Sequence, residues 1–158
     1  MNIASWALWG FVGTLVLTTI LSGSQGLGLT RMNIPFMLGT MFRGEHRPAE
    51  RVGFFVHLVN GWLFALVYVA AFHAWGGATW WRGLAVGFVH SMFVLAALMP
   101  ILPTMHPRMA LPEQGPGELR MLEPPGFFAL HYGVRTPISV VVAHLAYGTI
   151  LGAFYRAS

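Results

Sequence analysis

Histidines are the side chains of this chain best placed to do chemistry. His57 opens the apolar stretch HLVNGWLFALVY (57–68) and His144 opens a similar one, HLAYGTILGAFY (144–155). Each histidine is followed by a polar residue at i+3 (Asn60, Tyr147), Gly at i+4 (Gly61, Gly148), a small residue at i+8 (Ala65, Gly152) and Tyr at i+11 (Tyr68, Tyr155). At 3.6 residues per turn these positions share one helix face. Two imidazoles at similar depth on separate helices can ligate a b-type haem from opposite faces. With His90 they can also form a metal site. Met99, Met105, His106 and Met109 follow His90 in the chain, and imidazole with thioether suits copper. The plainer reading is that His57 and His144 hydrogen-bond across a helix bundle, because buried polar groups need partners with or without a function.

No catalytic residue is assigned. The apolar segments hold no carboxylate, there is no cysteine, and neither HExxH nor GxSxG occurs. Without cysteine there is no disulfide and no thiolate metal or iron–sulfur site.

The elements that must position these histidines are membrane helices. Hydrophobic residues make up 56% of the 158 and charged residues 9%, with mean hydropathy +0.63. A soluble domain carries about a quarter charged residues. Four runs are long enough to cross a hydrocarbon core of about 30 Å: 3–23, 52–75, 80–102 and 137–155. Each satisfies its backbone internally only as a helix. A cleavable signal peptide is the competing reading of the first run. No Lys or Arg precedes that run, and Gly10-Phe11-Val12-Gly13-Thr14 returns as Gly87-Phe88-Val89-His90-Ser91 in the third, which favours retention. Pro100 and Pro103 mark the end of the third run. Gly61 with Ala65, Gly83 with Gly87 and Gly148 with Gly152 predict close helix packing at small-xxx-small spacing.

Two long connections complete the chain. Each contains a short apolar segment, 35–43 and 124–132, expected at the membrane surface or as a re-entrant helix. The order span, loop, span therefore occurs twice, about 3–75 and about 80–156. That predicts two duplicated helical hairpins forming one integral membrane domain (1–158), an all-α transmembrane four-helix bundle with a pseudo-two-fold axis along the membrane normal. The net charge of +4 is all arginine on the basic side. Those arginines are scattered rather than gathered on one face, so nucleic acid is not an expected partner. Arg31, Arg43, Arg47, Arg51, Arg108, Arg120 and Arg135 lie in the two long connections, against Arg82 and Arg156 elsewhere. The positive-inside rule then predicts cytoplasmic loops and external termini in a prokaryotic inner membrane.

IPFMLGTMF, HLVNG and AHLAYGTILGAFY resemble motifs of a family of small prokaryotic four-span membrane proteins classed as a domain of unknown function. The resemblance implies the fold and transfers no activity to any residue. The expected role is a non-enzymatic accessory or scaffold subunit, with the lipid bilayer and further copies or a larger membrane complex as partners. Haem or redox function through His57 and His144, and permeation of a small solute or metal, are the alternatives.

Overall fold

The computed structural model describes residues 1–111 and 122–157. Its helices are α1 (Ile3–Gly26), α2 (Ile34–Gly39), α3 (His46–Ala74), α4 (Trp80–Met105) and α5 (Thr136–Phe154), with a 3-10 turn at Phe127–Tyr132. All but α2 and the 3-10 turn are long and apolar enough to cross a membrane, and the chain is a multi-pass membrane protein with an all-α fold. Arg120, one of the expected orientation markers, lies outside the described residues.

Capping side chains start three of the helices. The Asn2 carbonyl oxygen accepts from the Ser5 N–H at 2.9 Å, Asn33 does the same for Phe36 at 2.9 Å, and the Thr79 hydroxyl accepts from Arg82 N–H at 3.4 Å. Each satisfies a backbone donor that the first turn leaves free.

Two boundaries differ from the sequence reading. α3 begins at His46, a turn and a half before the expected apolar start at Val52, because α2 folds back against this first stretch. The approach is backbone to backbone. A Cβ on Gly39 would strike the Ala49 carbonyl, and one on Gly53 would strike that of Pro35. The segment around 35–43 is thus a short helix docked on α3. The third span also runs past both prolines, to Met105. A π-helical turn, Val94–Leu98, sits just ahead of them. Pro lacks the N–H that an α-turn needs, and local π adjustment is one of the ways a membrane helix absorbs that loss.

α5 is the central helix. It packs along α4 on one side and α1 on the other; α1 packs against α3, and α2 against α3. The expected small residues make these contacts. A Cβ on Gly83 would meet the Gly148 carbonyl and one on Gly152 the Thr79 carbonyl, while Gly61 abuts Thr14. Ala65 is fully buried beside Gly10. α3 and α4, although consecutive, scarcely approach each other's backbone.

The second short apolar segment is not a copy of α2. Gly126 and Gly133 bracket it with φ of 71° and 126°, and Phe128 and Ala129 are left-handed at 55° and 53°. Tyr132 is tucked beneath, donating to the Glu123 carbonyl at 2.6 Å. Burial, with the Glu123 carboxylate nearby, pushes its phenol up to about 12.

Candidate ligand-binding site

Backbone contact between α4 and α5 decides where the histidines go. Gly87 lies against the carbonyl of His144, and three residues later on the same face His90 meets the His144 ring edge to face, centroids 4.6 Å apart and planes at 86°. On its other side His90 stacks on Phe64 at 4.2 Å, and its Nδ1 lies 3.1 Å from the Tyr68 hydroxyl. α3 and α4 are therefore joined across their gap by Phe64, Tyr68 and His90. Tyr68 and Tyr147 meet edge to face at 5.2 Å, and the Tyr147 hydroxyl donates to the Gly61 carbonyl at 2.5 Å.

α1 supplies the remaining wall. The Thr14 hydroxyl donates to the Gly10 carbonyl and that of Thr18 to the Thr14 carbonyl, both at 2.7 Å. Thr18 has one hydroxyl proton, and the Thr14 carbonyl takes it. The 3.0 Å contact between Thr18 Oγ1 and His57 Nδ1 is then a bond donated by the imidazole. His144 Nδ1, 2.8 Å from the Val140 carbonyl, must likewise be the donor. In the neutral rings both Nε2 atoms carry a lone pair. Neither has a partner among the described residues, and no buried side-chain nitrogen or oxygen there is both sealed and unpaired, so both touch open space. The Tyr68 hydroxyl has only His90 Nδ1 as partner among the described residues. Tyr68 is 1% exposed, so donation from the phenol to Nδ1 is the arrangement that leaves no buried hydroxyl proton unpaired, and it puts the His90 proton on Nε2.

His57, His90 and His144 all line one cavity of about 250 Å³, together with Thr14, Asn60 and Tyr147. The rest of its wall is aliphatic, aromatic and thioether, including Met32, Met37, Met99 and Met105. The predicted pair thus meets on a common space, and His90 joins it. Metal geometry is another matter. Among the described residues no group of three or more His, Asp or Glu is arranged to hold a metal ion. His106 and Met109, grouped with the copper reading, do not line the cavity.

His106 has a separate task. It is 4% exposed, its Nε2 donates to the Met37 carbonyl at 2.9 Å, and its Nδ1 accepts from Arg108 N–H at 3.1 Å. The Arg108 guanidinium donates to the Thr40 carbonyl at 2.7 Å. Together they pin α2, whose Ile34, Met37 and Leu38 close one end of the cavity. Burial lowers the His106 pKa, the Met37 bond opposes that shift, and Arg108 adds to it. Position alone, at the end of a span between Pro103 and Pro107, does not reveal this latch. The Thr14/Thr18 pair at helical spacing was a visible signal for the partner of His57. His73, in the last turn of α3, is exposed and pairs with the Tyr155 hydroxyl at 3.1 Å.

Comparisons with protein-family models, curated proteins and solved structures give no match.

Proposed function

We propose that this chain is a non-enzymatic membrane protein that holds a small, largely apolar ligand between its helices. The observation that carries the reading is the convergence of three imidazoles from α3, α4 and α5 on one apolar cavity, two of them with Nε2 atoms that have no partner among the described residues. Ionisable residues inside spans mark functional sites by default, and a few convergent polar groups in an apolar pocket are the usual form of a ligand site. The cavity's size, just under the roughly 300 Å³ at which pockets for drug-sized molecules begin, suits a small guest.

Purification in mild detergent, denaturation and mass analysis of the extract test this. One small molecule near stoichiometry, depleted in His57→Ala and His144→Ala, is the expected result. An extract holding only bulk lipid and detergent overturns it.

A second reading is b-type haem between His57 and His144. In its favour, both Nδ1 protons are anchored and neither Nε2 atom has a partner among the described residues, the arrangement in which imidazole ligands are normally held. Against it, a tetrapyrrole is larger than the cavity, and the helices would have to part. A Soret band in the same preparation, lost in either alanine variant, decides for haem.

An accessory subunit of a larger complex or a homo-oligomer remains compatible with ligand binding. The glycine faces that would favour such assembly are occupied within the chain, so a partner would use other surfaces. For topology we propose two duplicated hairpins, with the arginine-rich loops cytoplasmic and both termini outside, in a prokaryotic inner membrane.

A further inference from the structure

Among the residues that line the cavity, those exposed on the outer surface are Leu98 at 39%, Ile101 at 51% and Met105 at 68%. All three lie on α4, at the end of the π-helical turn and beyond it, spaced along one stripe. The rest of the lining is buried or half-buried. Here α3 and α4 stand apart, and these three lining residues mark where the cavity wall reaches the outer surface beside that gap. That mouth lies within the length of a membrane-spanning helix and is rimmed by apolar side chains. The end nearest the loops is closed by α2, held down by His106 and Arg108.

A sideways apolar mouth admits what dissolves in the bilayer. Beyond it, His57 and His144 offer hydrogen-bond acceptors and His90 offers a donor. His144 is 6% exposed, so its Nε2, without a partner among the described residues, gains little from water. One functional group answers this set: a hydroxyl, which donates once and accepts as well. We infer that the cavity takes a bilayer-soluble molecule ending in a hydroxyl, admitted between α3 and α4, whose O–H donates to Nε2 of His57 or His144 and accepts from His90. The inference rests on the ligand-binding reading and names its ligand class.

Two probes with the same apolar body, 4-hexylphenol and hexylbenzene, test it on the full chain in lipid nanodiscs, with empty nanodiscs as control. Native mass spectrometry reads the one-to-one adduct and its rate of appearance. The phenol should bind at least about tenfold more tightly, the worth of one well-made hydrogen bond. His57→Phe with His144→Phe, which carry no acceptor, should erase the preference, and Ile101→Trp, at the rim, should slow uptake severalfold. Equal binding of the two probes to the unaltered chain overturns the hydroxyl recognition and leaves ligand binding standing. No adduct from either probe overturns both. Uptake by Ile101→Trp at the unaltered rate overturns lateral admission. The comparison between probes depends on no variant folding.

Discussion

Tautomers are the part of this site that single atoms decide. Thr18 fixes the His57 proton on Nδ1 and Val140 fixes that of His144, while Tyr68 sets His90 the other way. Thr18→Val removes the acceptor and leaves a buried N–H unpaired, which should destabilise the protein by about 1–3 kcal/mol. Thermal unfolding in detergent checks this against Thr19→Val on the exposed side of α1, expected within about 0.5 kcal/mol of the parent. Tyr68→Phe should cost about 1 kcal/mol by the same measurement, because the His90 proton can move to the other nitrogen but the bond is lost. The sequence made His57 and His144 visible through their shared helical spacing. It made none of the donor directions visible, since these depend on which carbonyl or hydroxyl a neighbouring helix brings up.

Among the elements, the pair α4 and α5 determines the geometry of everything else. Gly83 and Gly87 press on Gly148 and Gly152 with no side chain between. Gly148→Val would push a branched side chain into the Gly83 carbonyl and separate the helices, at a cost of about 3 kcal/mol or more. Gly23 is the contrast. It lies in α1 with nothing near the place a Cβ would occupy, so Gly23→Ala should raise stability by about 0.5–1 kcal/mol. Unfolding of the two variants side by side reads both signs. The four helices and the glycines that pack them were legible because span length and small-residue spacing are local signals. The docking of α2 was not, because the expected surface or re-entrant position for 35–43 weighs only its own apolarity, whereas Gly39 and Gly53 must be seen facing each other. Pro100 and Pro103 misled for a related reason: their rule holds for an α-turn in water, and α4 meets them with a π-turn in an apolar segment.

For the whole molecule, the latch between α2 and the end of α4 gives a dependence on pH. His106 is held neutral in the fold, with its pKa lowered by burial. Its contribution is whole above the unfolded value of about 6.5 and is lost as the pH falls through the lower folded value. Unfolding temperature should therefore drop on acidification below about pH 6.5, and His106→Gln should flatten that part of the profile. The same profile measured on Arg108→Gln, which lacks the neighbouring cation, should shift its acid limb to higher pH less than a change in burial would, since burial is the larger cause. The π-turn at Val94–Leu98 has a consequence of its own. It holds one residue more than a regular turn. Excising Ala96 would therefore let α4 close into regular turns with Ile101 and Met105 still on the face they hold, whereas excising a residue from the regular stretch ahead of the turn would swing Met99–Met105 about 100° around the axis. The flank of the bundle thus tolerates the loss of one codon at that turn, where the same loss a few residues earlier would turn the helix end to another face.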